Sequence, residues 1–407
     1  MPEPTGRVLV YAPVSLFDHD GRRYIEDQAI IGLRRWAENF ARADVLMPVA
    51  HMPPPAGWTD ARDAALPANL VLHPLPIAWR PDQFLRAYRP TRARIAALIR
   101  DCDYPCFAIG GLFGDWGAVA AFEAARQNRR FAIWTDRVES EVTRHGAHHG
   151  PWRARLRKRL YRRPMAALER AVISRATLGL FHGRETYEAY APYARAAELV
   201  HDILLEKSDR IDADALTAKQ AEARLGPLRI IYAGRAEAMK GPMDWIDTLA
   251  ALKTRGVAFR AKWLGDGAER PAMQAAVARA GLSDAVSLPG FVADRAAVLR
   301  SLRAAHVFLF CHRTPESPRC LIEALASGTP LLGHDGAYAR DLVSRDPRAA
   351  RLFPMGDAAA MAAGLAAFDT DRTALAGAMA AARTCGEGFD SETVFAHRAE
   401  LLRRYLG

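Results

Sequence analysis

Short apolar runs alternate with longer segments in which apolar residues recur at helical spacing, through almost the whole chain. In the second half, Arg229–Ala233 (RIIYA), Ala261–Leu264 (AKWL), Val286–Leu288, Val307–Phe310 (VFLF) and Leu331–Gly333 predict strands. Met243–Thr254, Arg270–Ala280, Arg295–Ala304 and Leu321–Ser327 predict the helices between them. Pro242 after Gly241 suits a first helical position, and Gly256, Gly281 and Gly328 suit helix ends. The first half repeats the theme, with strands predicted at Arg7–Ala12, Asp44–Pro48, Asn69–His73, Phe107–Gly110, Phe131–Thr135 and Thr177–Phe181 and long helices at Ile25–Ala41 and Trp116–Gln127. Such alternation implies α/β architecture, with parallel sheets covered on both faces.

At 407 residues the chain exceeds what one hydrophobic core usually fills. Residues 206–227 are polar, strandless and end in Gly-Pro, so a linker is expected there. This divides the chain into residues 1–205, completed by a last helix within 390–407, and residues 228–389. The expected fold is two doubly wound domains facing across a cleft, with ligands beyond the carboxyl ends of the strands.

Composition narrows the partners only a little. Five cysteines, Cys102, Cys106, Cys311, Cys320 and Cys385, form no even framework, and Cys102 and Cys106 lack a second ligand pair. A reducing cytoplasm fits best. The amino-terminal apolar run contains Pro13 and is soon followed by acids, which predicts a strand and not a secretory signal. No 18-residue apolar stretch predicts a membrane-spanning helix. A formal charge of +10 admits nucleic acid, anionic lipid or phosphorylated ligands.

Candidate chemistry concentrates in two loops. Arg235 and Lys240 lie in GRAEAMKG after the strand Arg229–Ala233, before a helix start at Gly241. A phosphate there would meet a planar fork, a point charge and free helix amides. The same residues also fit two solvated surface charges. In TPESPRCLIEALASGTP, Pro318 is expected to start a helix ending at Gly328, with Ser317 as cap and Glu316 just before it. Glu323, inside that helix, could accept two ribose hydroxyls, or be an ordinary exposed acid. Gly265-Asp266-Gly267 and Gly290-Phe291-Val292 end two further strands and allow close backbone approach or an edge for a base.

The order of these segments, GRxxxxKG, GDG, PGFV, a strand, then two acids with EALASGTP, closely resembles the donor half of family 4 glycosyltransferases. These are retaining enzymes of the two-Rossmann-domain GT-B fold. The resemblance is strong over residues 228–343 and covers the first half only by layout and by the helix Met165–Arg175 running into ATLGLFHGRETYEAY. It implies that Arg235 and Lys240 clamp a donor diphosphate beside Gly234, that Gly265 and Asp266 line the site, and that Phe291 and Val292 border the base. Glu323 would hold the ribose; Glu316 and the stretch Ser317, Pro318, Arg319, Cys320 and Leu321 would hold the sugar. Uridine diphosphate is favoured only through the family. Here the acids have six residues between them where the family has seven, so Glu323 transfers more securely than Glu316. The family's His-Asp pair after the strand at Phe131–Trp134 is here Thr135-Asp136. Asp136 is retained as a cleft residue without the histidine role.

His145, His148 and His149 have Gly-interrupted, irregular spacing and read as a loop. Asp18-His19-Asp20 matches the metal motif of the other major glycosyltransferase fold, but so do Asp212–Asp214 and Asp369–Asp371. In a two-Rossmann enzyme cations and helix dipoles replace the metal, so no metal or other cofactor is expected. The loop Ser15–Arg23 is where such enzymes admit the acceptor, which nominates Asp20 and Arg22.

Pro151–Pro164 carries six arginines and one lysine with no acid. Trp152, Leu156 and Leu160 form a narrow stripe at helical spacing among Arg153, Arg155, Arg157, Lys158, Arg159, Arg162 and Arg163, a pattern suited to an anionic membrane surface. A helix packed on its own domain is the plainer reading, and nucleic acid is disfavoured for want of a binding module and aromatic interleaving. The combined expectation is a glycosyltransferase moving a sugar from a nucleotide diphosphate donor to a lipid, lipid-linked oligosaccharide or polysaccharide. It would work in the cytoplasm, peripheral on the inner face of the cell membrane. A nucleotide-sugar epimerase on the same fold, or a non-catalytic membrane-associated scaffold, are the alternatives.

Overall fold

The computed structural model describes residues 4–141, 152–314 and 316–407. The chain divides into two compact units, Met1–Leu204 with Ser391–Gly407, and Leu205–Asp390.

In the first unit the strands are β1 (Arg7–Tyr11), β2 (Leu16–His19), β3 (Arg22–Glu26), β4 (Arg42–Ala50), β5 (Trp58–Asp60), β6 (Leu70–Pro76), β7 (Tyr104–Ala108), β8 (Ala132–Thr135), β9 (Leu178–His182) and β10 (Ala197–Val200). They form one sheet in the order β10-β9-β8-β7-β1-β4-β2-β3-β5, with β6 also paired to β4. All pairs are parallel except β2 with β3 and β3 with β5. Alternation along β1 explains why helices must cover both faces. Val8 and Val10 are buried on one side with Trp36 and Phe40, and Leu9 and Tyr11 on the other with Phe107 and Trp116. The final helix, Ser391–Leu406, belongs to the first of these cores, where Phe395 meets Trp36 edge-on at 5.3 Å.

In the second unit β11 (Leu228–Ala233), β12 (Phe259–Leu264), β13 (Val286–Gly290), β14 (Val307–Phe310), β15 (Leu331–His334) and β16 (Ala350–Phe353) form a wholly parallel sheet, ordered β13-β12-β11-β14-β15-β16. This is the doubly wound order in which chain direction reverses between β11 and β14. The loops after these neighbouring strands leave toward opposite faces and open a crevice at their carboxyl ends.

Two expectations are corrected. Residues 206–227 are no free linker: they contain the helix Ala213–Glu222, and Lys219, buried, donates to the Ser327 carbonyl at 3.0 Å and the Thr329 hydroxyl at 2.6 Å. The stretch Ser15–Arg23 is no loop either. It forms the β2–β3 hairpin, whose turn residues Asp20 (φ 51) and Gly21 (φ 69) both have the positive φ of a two-residue primed turn.

Candidate functional site

The switch point of the second unit brings together the two segments that carried the chemistry. After β11 the chain passes Gly234 and Arg235, makes a single 3-10 turn at Ala238–Lys240, and enters the helix Pro242–Thr254. Gly241 (φ +63) is required at this junction, because a Cβ there would sit 2.0 Å from the Cys311 carbonyl oxygen of the neighbouring loop. After β14 the chain passes His312 and Glu316 before the helix Arg319–Ala326. Backbone bonding locks the two loops, Arg313 N–H donating to the Met239 carbonyl at 2.8 Å.

At the centre, Lys240 Nζ donates to Glu316 Oε1 at 2.6 Å, with side chains only 10% and 11% exposed. His312 Nδ1 lies 3.9 Å from the same carboxylate oxygen, and its Nε2 shares a hydrogen with the Tyr232 hydroxyl at 2.8 Å. Burial, then Lys240 and His334, hold His312 well below the usual imidazole range, so the ring is neutral. Arg313 makes a bidentate pair with Asp244 in the first turn of the Pro242 helix, its Nε at 2.6 Å from Oδ2. Arg235, by contrast, is exposed, and its guanidinium has no ion pair or hydrogen bond among the described residues.

The helix after Glu316 starts one residue later than expected. Pro318, not Ser317, occupies the cap position with extended ψ, because proline's fixed φ of −72° ends an extended approach there. Ser317, Pro318, Arg319 and Cys320 are half-buried at this helix start, while Leu321 faces the core, so only its backbone is available to a ligand. Glu323 is half-buried and contacts Arg295 at 3.4 Å. Gly265 and exposed Asp266 follow β12, the Asp266 carboxylate accepting from the Gly267 N–H at 2.8 Å. Phe291, 69% exposed, and half-buried Val292 follow β13. The arrangement offers an anion two cations of different accessibility and a helix start, with carboxylates on either side.

Sequence reasoning missed Tyr232, Asp244, His312, Arg313 and His334. The signal for His312 was its place immediately beyond a strand at a switch point, where side chains face ligand rather than core. Asp244 was marked only by lying in the first turn of a helix, where acids are common for capping reasons alone.

Residues 227–371 match the family model of group 1 glycosyl transferases. The chain is 33% identical over 173 residues to WcaL of Escherichia coli K12, named as a colanic acid biosynthesis glycosyltransferase, covering 40% of this chain and 42% of that protein. It is 30% identical over 146 residues to the alpha-D-kanosaminyltransferase of Streptomyces kanamyceticus, covering 34% and 37%. The chain thus spans less than half of the length of these curated relatives. Its second unit carries the group 1 glycosyltransferase match, over residues 227–371. Solved structures of low identity share the fold over nearly their whole length. HepE of Anabaena in complex with UDP-glucose superposes with a TM-score of 0.67 at 15% identity, covering 98% of this chain and 100% of that one. WaaG, a glycosyltransferase involved in lipopolysaccharide biosynthesis, gives 0.64 at 14%, covering 97% and 99%. Both units therefore have the α/β sheets of the GT-B class.

The remaining predicted residues lie in the first unit. Asp136, exposed, follows β8 at the edge of a cavity at the carboxyl ends of β1, β7 and β8. Asp20 and Arg22 stand at the hairpin turn, outside that cavity's lining, with Arg22 facing Asp60 at 3.9 Å. The basic segment is helical, within Trp152–Ile173. Leu156 and Leu160 are 49% and 64% exposed, and Arg162 and Arg163 are exposed. The side chains of Trp152, Arg153, Arg155, Arg157, Lys158 and Arg159, and all of His145, His148 and His149, lie outside the described residues. Among the described residues no group of His, Cys, Asp and Glu could hold a metal ion, and no helix is long and apolar enough to cross a membrane.

Proposed function

We propose that the protein is a retaining hexosyltransferase that moves a sugar from a nucleoside diphosphate, with uridine favoured, to a lipid, lipid-linked oligosaccharide or polysaccharide. The observation that carries this reading is the buried Lys240–Glu316 pair, 2.6 Å apart, with exposed Arg235 in the same loop as Lys240, at the β11/β14 switch point. Arg235 and Lys240 would grip the diphosphate, and Glu323 would accept from the ribose hydroxyls. As the bond from the sugar's anomeric carbon to the phosphate oxygen breaks, charge builds on the departing diphosphate. The cations and the start of the Arg319 helix stabilise it without reorganising. The acceptor oxygen forms the new glycosidic bond on the face just vacated, and its proton passes to the leaving phosphate oxygen. No separate protein base is required, and no metal enters the scheme. Relatives named as a colanic acid biosynthesis glycosyltransferase and an alpha-D-kanosaminyltransferase support the reaction class, and a structural neighbour crystallised with UDP-glucose supports the uridine donor.

The exposed Leu156 and Leu160 favour a basic helix that rests on an anionic surface at the inner face of the cell membrane over one packed on its own unit. The decisive experiment incubates the full chain with UDP-hexoses and a membrane lipid extract. Expected are UDP release dependent on the extract and a product linkage with the donor's anomeric configuration. An isomerised donor without acceptor would mean an epimerase, an inverted linkage would remove the retaining mechanism, and UDP binding without any turnover would mean a scaffold.

A further inference from the structure

One face of the second unit's sheet is left bare over an interior strand. β12 lies between β11 and β13, yet its burial alternates. Phe259, Ala261 and Trp263 are buried on one face, where Trp263 meets Trp245 of the Pro242–Thr254 helix edge-on at 5.5 Å. Arg260 and Lys262 stand on the other face and are exposed. Interior strands of a wholly parallel sheet are ordinarily covered on both sides and read as apolar runs. Two outward cations on such a strand are therefore not explained by packing.

Strand register builds a site around them. Parallel pairing sets Arg229 beside Arg260, and Ile231 beside Lys262 beside Ser287, all on that face. The helix Arg295–Ala304 supplies the facing wall through Arg300 and Ser301. The groove enclosed has a volume of about 570 Å³, inside the range of roughly 300–1,000 Å³ for small-molecule sites. It is separate from the diphosphate loops. Those leave the carboxyl ends of the strands, whereas the groove begins at Arg229 near the amino end of β11, and none of Arg235, Lys240, Glu316 and Glu323 lines it.

Charge says what the groove takes. Four cations and one acid, Asp284, are in its lining among the described residues. Arg229 pairs with Glu222 at 2.9 Å and Arg300 with Asp294 at 3.2 Å, both partners lying outside the lining. Arg260 donates to the Asp284 carbonyl, a neutral acceptor, and Lys262 makes no hydrogen bond or ion pair among the described residues. Two positive charges, roughly 7 Å apart along the strand, are thus left without a carboxylate. The Arg229 Nε is buried and has no acceptor either, a state that native structures rarely leave unanswered. A carboxylate ligand would answer only one of these charges. A phosphate monoester carries about −1.5 to −2 at pH 7, with three oxygens that can accept from an arginine fork, an ammonium and hydroxyls together. Ser287 on the sheet and Ser301 on the helix add the hydroxyls. Ile231, Ala297 and Ala304 leave an apolar wall for the esterified part.

We propose that this groove is a second ligand site, distinct from the diphosphate clamp, and that it takes a soluble phosphate monoester of sugar size with its phosphate on Arg260 and Lys262. The site does not depend on the transferase reading. Isothermal titration calorimetry of the full chain at fixed ionic strength, with and without saturating UDP, tests it with ribose 5-phosphate, glucose 6-phosphate, glucose and succinate. At least one ester is expected to bind at one site per chain in both conditions, tenfold or more tighter than succinate, while glucose gives no saturable heat. Lys262→Glu and Arg260→Ser, at exposed positions outside the core, should each weaken that binding tenfold or more and leave UDP affinity at the wild-type value. Lys262→Arg should keep most of it. Absence of saturable binding by both esters, equal binding of succinate, displacement by UDP, or charge variants that bind like wild type would each overturn the proposal. An aspartate-rich peptide that binds where neither ester does would make the groove a protein-docking face and overturn it as well. Ester binding by a wild-type chain that fails to bind UDP would uphold this site while sinking the donor-site reading.

Discussion

Arg235 and Lys240 carry the same charge in one loop but stand in different surroundings. Arg235 is exposed and unpaired among the described residues, so its substitution removes ligand binding without orphaning a partner. Lys240 and Glu316 are nearly buried against each other, so deleting either cation or anion strands a charge. Breaking such a pair costs about 3–5 kcal/mol, most of it the penalty on the partner left behind. Arg235→Ala should therefore leave urea unfolding within about 0.5 kcal/mol of wild type. Its UDP affinity should drop by roughly one to two powers of ten, as expected for losing a charged hydrogen bond. Lys240→Ala should lose both affinity and roughly 3 kcal/mol of stability. The double variant Lys240→Ala with Glu316→Gln should recover most of the stability and none of the affinity, because a neutral amide leaves no buried charge. Equal stability of Lys240→Ala and wild type would mean that the pair does not hold the loops together. His312 adds a positioning element to the same constellation. Held neutral by burial and anchored by Tyr232, it packs near the Glu316 carboxylate without competing for the cation.

Among the elements, the parallel strands were the most legible from sequence, because strands buried on both faces read as unbroken apolar runs. VFLF became β14 without a change of boundary, and RIIYA gained only Leu228. The β2–β3 hairpin was hidden because FDHDGRRYIE carries a charge at Asp18, Asp20, Arg22, Arg23 and Glu26, with only its Asp-Gly turn as a signal. The helix Ala213–Glu222 was hidden for a different reason. Its stability comes from Leu216 and the aliphatic stem of Lys219 packing on the second unit, which a local polar composition conceals. Of the candidate site, the residues at strand ends were readable and the partners were not, since ion pairs such as Lys240–Glu316 span 76 positions of chain. The basic helix is a case where the pattern predicted the element but packing had to decide its face. Its later half is anchored by buried Met165, Val172 and Ile173, while Leu156 and Leu160 stay exposed. Co-sedimentation should show binding to vesicles containing phosphatidylglycerol, weak binding to pure phosphatidylcholine, and release by salt. Leu156→Ser with Leu160→Ser should weaken that binding by about tenfold or more, since even partial burial of two leucines contributes over 1 kcal/mol. Equal binding to both vesicle types would defeat the surface-docking reading.

For the molecule as a whole, the titratable groups divide between the two units in a way that should separate their responses to acid. The second unit buries His306, His312 and His334, and burial is the foremost reason each lies below its ordinary value, His306 at about 3. Arg229, Lys219 and Arg372 depress His306 further, and Lys240 and His334 do so for His312. A depressed histidine refuses a proton that the unfolded chain accepts near pH 6.5. The unfolded state then binds more protons, so stability falls as pH drops below that value. Each such group contributes a slope of up to about 1.4 kcal/mol per pH unit once the unfolded side chain is charged. The first unit depends on two ion-paired carboxylates, Asp44 and Glu123. Burial works against the Asp44 charge, but Arg7, Arg42 and His73 outweigh it and hold the group at about 2, and Arg126 leads in holding Glu123 at about 2. Their stabilisation persists until pH falls below the ordinary carboxylate range near 4 and is lost only toward pH 2. Asp115, Glu139 and Glu169 of the first unit are raised by burial and take up protons before the unfolded chain does, which works in the opposite sense to the histidines. Between pH 7 and pH 5 the unfolding transition of the second unit should thus move to lower temperature while that of the first does not fall. Saturating UDP, which raises the melting point of whichever unit binds it, assigns the transitions. His306→Asn should flatten the dependence of the second unit, because an amide oxygen can still accept from the Arg229 N–H that His306 Nδ1 now accepts at 3.2 Å. Calorimetry showing both transitions shifting together, or an unchanged slope in His306→Asn, would mean that these buried imidazoles do not set the acid sensitivity of the second unit.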